Sequence, residues 1–206
     1  MKNILIVFAH PEPKSMNGRL KDRAVAVFTA AGHTVQVSDL YASQFPIVGK
    51  ADFPFYDAEF FDLQQAQAAA QKLNQQADFV QHEMDRLEWA DLVIFQFPLW
   101  WYSVPAILKS YFDNVFSVGF AYAGRSALAG KPYLLSFTTG APEFAWTTER
   151  KGTIDQLLFH LDVGTFSLLG MERLEPFIGY GSKRLSREER DGLVDEFEGF
   201  LERVLN

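Results

Sequence analysis

An α/β fold, a parallel sheet with helices packed on both faces, is predicted by three features of the sequence. Apolar runs without polar alternation recur at 3–9, 91–97 and 132–138, the mark of strands buried on both sides. Stretches with apolar residues at helical spacing lie between them. No repeat, low-complexity tract or linker interrupts the alternation, so residues 1–206 read as one domain.

The elements follow in order. NILIVFA (3–9) is the first strand. Leu20, Ala24, Val27, Phe28 and Ala31 recur at helical spacing over 17–31, and Gly32 is placed as the stop. Residues 33–38 (HTVQVS) read as a second strand. Residues 42–62 carry Pro, Gly and several Phe and read as an ordered aromatic loop, an insertion suited to a partner surface. A long helix is expected over 63–89, with Ala66, Ala70, Leu73, Ala77, Val80, Met84 and Leu87 on one side. DLVIFQF (91–97) is the third strand. Residues 104–115 form a helix with Pro105 in its first turn. Residues 132–138 are the fourth strand and TFSLL (165–169) the fifth. Ser186 and Glu189 make a capping box for the last helix, whose inner face is Leu193, Phe197, Leu201 and Val204.

Composition narrows the function classes. The net charge of −7 argues against a nucleic-acid partner. The absence of cysteine excludes disulfides, thiol catalysis and Cys-based metal sites, and no metal site is expected. The first apolar run is short and ends at His10-Pro11, so it reads as a strand rather than a signal peptide. No apolar stretch is long enough to span a bilayer, and the cytoplasm is the expected location. The aromatic excess, 20 Phe, 7 Tyr and 4 Trp, is mostly core, but its clustering at 95–102 and 112–122 also suits a flat π ligand.

In a sheet of this kind the ligand sits outside the carboxyl ends of the strands, where strand order reverses. Three loops are therefore of interest, after residues 9, 97 and 138. HPEPKSMNG (10–18) leads into a helix whose unpaired N–H groups and positive dipole end suit a phosphate. Ser15 and Asn17 are suited to cap it, and Lys14 and Arg19 to add charge; an ordinary capped helix fits the same residues. His10 either touches a phosphate or caps the strand. FPLWWYSVPA (97–106) sets two tryptophans and a tyrosine at the sheet's mouth, either as a wall for a flat ring or as a surface packed under a partner. Pro98 and Pro105 fix that loop. Thr138, Thr139 and Gly140 offer hydroxyls and an approachable backbone, or merely a turn.

Taken together, these stretches resemble the NAD(P)H dehydrogenase (quinone) family, flavoproteins of the DT-diaphorase type. The matching segments are the AHP-x-x-x-S-x-N start, SDLYA (38–42), WADLVIFQFPLWWYSVPAILKSYFDNVF (89–116), FAY (120–122), TTG (138–140) and LEP (174–176). The resemblance implies a flavodoxin-like, doubly wound, five-stranded parallel sheet of order 2-1-3-4-5. It implies two-electron hydride transfer from NAD(P)H through a flavin to a quinone, with FAD expected over FMN. The aromatic loop at 53–61 and the Trp100–Tyr102 wall, too much apolar surface for a lone small domain, predict a homodimer with its sites at the interface. The resemblance matches the FAD pyrophosphate and ribityl region to His10, Ser15, Met16 and Asn17. It matches the isoalloxazine region to Pro98, Leu99, Trp100, Trp101, Tyr102, Thr138, Thr139 and Gly140, and the adenosine part to Arg190.

The catalytic positions it implies are Tyr122, the backbone around Gly140 (N–H groups of 139–141) and Lys151, which stands where relatives carry a His. Gly124 replaces a pocket tyrosine, and His160 matches no catalytic position. The sequence ends at Asn206, short of the C-terminal extension of longer members, so their substrate range is not carried over. The residues WYS (101–103), Pro105, FAY and ALAGK (127–131) also suit a related subgroup, the ancillary regulatory subunits of glutathione-gated potassium efflux transporters. A one-electron carrier is the third reading, against which the long aromatic wall argues.

Overall fold

The computed structural model describes residues 1–124 and 126–205. β1 (Asn3–Phe8), β2 (Thr34–Asp39), β3 (Leu92–Pro98) and β4 (Pro132–Thr138) run parallel in the order β2-β1-β3-β4. The alternate residues of β1 explain its unbroken apolar run. Ile4 and Ile6 point into a core formed with α1 (Met16–Ala30) and α6 (Arg187–Leu205). Leu5 and Val7 point into a second core under α3 (Asp78–Trp89) and α4 (Ala106–Val115). Both faces are dry, so neither admits polar alternation. The expected strand order stands.

The fifth position of the sheet differs from expectation. β5 (Glu172–Arg173) and β6 (Phe177–Gly179) both pair with β4, β5 beside Pro132–Tyr133 and β6 beside Ser136–Thr138. The sheet thus has six strands, with its last position split in two. Pro176, between the pieces, has no N–H to donate to a ladder. The strand expected at 165–169 is not one. These residues continue the unpredicted helix α5 (Ile154–Leu161) into a π-helical turn, Asp162–Ser167. The five-residue step from Leu161 to Phe166, both buried, matches that wider winding rather than a strand's period. Phe166 stacks on Tyr133 at 4.2 Å and lies 5.1 Å from Phe95, so a helix face covers the sheet there. Thr153 and Gln156 form the capping box that starts α5, a T-x-x-Q signal readable in the sequence.

The long helix expected over 63–89 is two helices, α2 (Leu63–Leu73) and α3. Asn74 closes α2 in the left-handed region at φ 54°, where an asparagine side chain is tolerated. The capping box of α6 forms as expected: Ser186 N–H donates to Glu189 Oε2 at 2.7 Å, and Glu189 N–H to Ser186 Oγ at 3.2 Å. In the 42–62 loop, Phe53 packs with Phe55 and Phe61, and Phe61 with Tyr56, while Phe60 stays 80% exposed. Among the described residues no helix is long and apolar enough to cross a membrane.

Candidate active site

The carboxyl ends of β1, β3 and β4 lie in register, with Phe8 opposite Gln96 and Pro98 opposite Thr138. The three loops that leave them therefore meet in one cleft. The first is held tightly. Ser15 N–H donates to the Glu12 carbonyl at 3.0 Å, and Ser15 Oγ accepts from Gly18 N–H at 3.1 Å. That hydroxyl oxygen is thus already used as the helix cap. The N–H groups of Met16 and Asn17, in the first turn of α1, have no protein acceptor among the described residues. A Cβ at Gly18 would stand 1.8 Å from the Pro13 carbonyl oxygen, so the loop folds back closely enough to admit only glycine there.

Asn17 is buried and joins two strands. Gln96 Nε2 donates to Asn17 Oδ1 at 2.8 Å, and Asn17 Nδ2 donates to Thr138 Oγ1 at 2.8 Å. Thr138 Oγ1 accepts that bond, which leaves its own hydrogen for a further acceptor in the cleft. In the sequence Gln96 reads only as one polar residue in an apolar strand. A buried glutamine needs partners, and that signal points to it.

The aromatic loop turns sharply. Trp100 and Ser103 exchange two backbone hydrogen bonds at 3.0 Å, and the residues between them, Trp101 and Tyr102, have φ of 49° and 61°. Two bulky residues with positive φ have the signs of a type I′ turn, which normally takes Asn or Gly. Each costs about 1–3 kcal/mol, a strain that concentrates at functional sites. Trp101 is 98% exposed. Tyr102 packs against Trp146 at 5.8 Å, and Lys151 Nζ lies 5.7 Å from the Tyr102 ring centre. Trp100 lies 5.9 Å from the His10 ring. Burial pushes the His10 imidazole below its ordinary range, so it favours the neutral form, and its Nδ1 accepts from Glu12 N–H at 3.0 Å.

The third loop corrects one expectation. Thr139 N–H is not available to a ligand, because it donates to the Gly179 carbonyl at 3.0 Å as the ladder between β4 and β6 ends. The Gly140 and Ala141 N–H groups have no protein acceptor among the described residues, and no atom lies within 4 Å of where a Gly140 Cβ would stand.

The resulting cleft encloses about 390 Å³. Of the residues expected at the site, His10, Ser15, Met16, Asn17, Pro98, Leu99, Trp100, Thr138, Thr139, Gly140 and Arg190 line it together. Lys14, Arg19, Ser182 and Lys183 line it as well, and no carboxylate does. Arg19 is paired with Asp191 at 2.5 Å, but Lys14, Lys183 and Arg190 have no carboxylate partner among the described residues. In a chain of net charge −7, this local cationic excess, next to free N–H groups at a helix start, suits a phosphate-bearing ligand. The apolar walls of Pro98, Leu99 and Trp100 suit a flat ring beside it, so the cleft fits a flavin nucleotide.

Trp101, Tyr102, Tyr122 and Lys151 do not line this cleft. Tyr122 lines a separate hollow of about 270 Å³ with Ser103, Phe116, His160 and Leu168. There His160 Nδ1 is 2.9 Å from the Leu157 carbonyl and Nε2 is 3.4 Å from Ser103 Oγ, so the ring ties α5 to the aromatic turn. Ser182 and Lys183 escaped the sequence reading for a traceable reason. With the fifth strand expected at 165–169, the loop after the true edge strand, Phe177–Gly179, has no place among the sheet's carboxyl-end loops.

The strand order and the loops that converge at its reversal define a flavodoxin-like protein with a nucleotide-sized cleft. The family model described as "Flavodoxin-like fold" matches residues 2–202. A ribosyldihydronicotinamide dehydrogenase [quinone] from Pongo abelii is 40% identical over 98% of this chain and 92% of its own length. NAD(P)H dehydrogenase [quinone] 1 from Cavia porcellus is 34% identical over 99% of this chain and 78% of its own. A structure from Klebsiella pneumoniae, described as a candidate quinone reductase, superimposes with a TM-score of 0.92 at 32% identity, covering 99% of this chain and 85% of that one. The chain belongs to the NAD(P)H dehydrogenase (quinone) family of flavodoxin-like proteins.

Proposed function

We propose that the chain is a flavin-dependent NAD(P)H:quinone oxidoreductase, one flavin-binding domain with FAD as its cofactor. The single observation that carries this reading is the cleft at the strand-order reversal, lined by both cations and apolar walls, in a member of this family. When bound, the flavin supplies the chemistry: it accepts a hydride from a reduced nicotinamide and returns it to a quinone.

The protein's part is binding and alignment. Pro98, Leu99 and Trp100 would wall the ring, and the Thr138 hydroxyl hydrogen would be available to it. The free N–H of Gly140, with that of Ala141 next to it in the turn, would stabilise negative charge on the ring. Met16 and Asn17 N–H groups with Lys14 would hold phosphate, and Lys183 and Arg190 add two further cations to the lining. That number of cations, with Arg190 at the position matched to the adenosine part, favours FAD over FMN. His10, kept neutral, packs against Trp100. Exposed Trp101, Phe144, Phe159 and Leu168, together with the 42–62 loop, favour a homodimer that covers them and brings the Tyr122 hollow into a second subunit's site. A cysteine-free, negatively charged chain suits the cytoplasm. The relatives above carry dehydrogenase names, which does not favour the transporter-subunit alternative.

Steady-state kinetics with NADPH and a menadione-like quinone test the activity. One pocket must serve both substrates in turn, so double-reciprocal lines are expected to be parallel. Intersecting lines contradict a shared site, and no turnover with any quinone contradicts the function.

Lys151 is assigned the role of a cation at the substrate end of the site. Support comes from its place over Tyr102, in the turn that borders the cleft. Lys151→Met is expected to slow reduction by NADPH roughly tenfold to a hundredfold in stopped flow, below the loss for a donor in direct contact because Lys151 does not line the cleft. Flavin affinity should change little. An unchanged rate removes Lys151 from the mechanism.

A further inference from the structure

The N–H groups of Gly140 and Ala141 are useful to a ligand only if the turn that carries them is rigid, and its rigidity comes from another segment. The polar groups of Thr139 and the Ala141 carbonyl are all taken. Thr139 N–H donates to the Gly179 carbonyl at 3.0 Å. The Thr139 carbonyl accepts twice from Ser182, from N–H at 2.9 Å and from Oγ at 3.2 Å. The Ala141 carbonyl also accepts twice, from Gly181 N–H at 2.9 Å and from Thr139 Oγ1 at 2.7 Å. Gly181 N–H lies 3.4 Å from Thr139 Oγ1 as well. Thr139 is 1% exposed, so these bonds form away from water, where each is firm. Gly181 turns the chain at φ +61°, a conformation a side chain would strain.

We infer that Ser182 is a positioning residue: with Gly181 it clamps the 139–141 turn so that the free N–H of Gly140, which lines the cleft, is a donor fixed in advance. The inference rests on the proposed function, since the donor's task is toward a flavin. Donors fixed in advance need no reorganisation when negative charge grows in front of them. A fixed donor beside the ring's polar edge would therefore favour the more negatively charged, reduced form over the oxidised one. Ser182 acts through the turn. Its hydroxyl hydrogen is already given to the Thr139 carbonyl, although the residue borders the cleft.

The test is the two-electron reduction potential of the flavin bound to full-length protein. Ser182→Ala removes one of the two bonds to the Thr139 carbonyl and keeps the backbone one. Reduced flavin is then expected to bind about tenfold more weakly relative to oxidised flavin, a potential about 30 mV lower. Ser182→Thr keeps the hydroxyl and should restore the parent potential, which a merely structural role would not require. Melting of the flavin-free protein shows that the alanine variant is folded. An unchanged potential in Ser182→Ala, or a Ser182→Thr potential as low as that of alanine, overturns the inference and leaves the proposed function intact. A parent protein that takes up no flavin overturns both.

Discussion

Gly18→Ala is expected to abolish flavin uptake and to destabilise the protein by about 3 kcal/mol, the upper end for an overpacked site. The added methyl would stand 1.8 Å from the Pro13 carbonyl oxygen, and that neighbour is backbone, not the flexible end of a side chain. The loop can relieve the clash only by opening. Opening breaks the Ser15 cap on Gly18 N–H and displaces the Met16 and Asn17 N–H groups assigned to phosphate. Urea unfolding of the flavin-free variant measures the first effect, and fluorescence titration with FAD the second. A variant with parental midpoint and affinity shows that the loop is not built around this contact.

The double variant Lys14→Gln, Arg190→Gln is expected to lose roughly a hundredfold in FAD affinity. Lys14 is taken to supply one charge-assisted hydrogen bond to phosphate and Arg190 one to the adenosine part, each at the low end of about 1.5 kcal/mol because both are exposed. That is about tenfold apiece. The weaker binding of riboflavin, which has no phosphate, should be unchanged. The salt dependence of FAD binding should also flatten, since fewer counter-charges take part. Equal losses for FAD and riboflavin contradict a phosphate role and point to a general disturbance of the cleft.

The parts of the fold that rest on one-dimensional periodicity were legible in the sequence. β1, β3 and β4 announce themselves because both of their faces are buried, which forbids polar interruption. The capping box at Ser186 and Glu189 marks the start of the last helix because its two side chains serve the helix's own backbone. What was not legible depends on tertiary partners. Thr165, Phe166 and Leu168 look like a strand in isolation, but Phe166 finds Tyr133 and Phe95 through a π-helical turn. Asn74 breaks an apolar stripe whose period carries on past it, since a left-handed residue leaves no trace in hydropathy.

The candidate site was legible in its three loops and incomplete in its fourth. Ser182 and Lys183 follow a three-residue edge strand, shorter than any pattern that alternation can resolve. The commitment of Thr139 N–H to Gly179 is likewise a matter of pairing, which sequence does not show.

The central claim is a flavin in the cleft at the strand-order reversal. It is tested most directly by heating the purified protein, separating the released cofactor by chromatography and measuring it against protein concentration. A yellow protein that releases stoichiometric FAD is expected. A colourless protein that neither FAD nor FMN reconstitutes would contradict it.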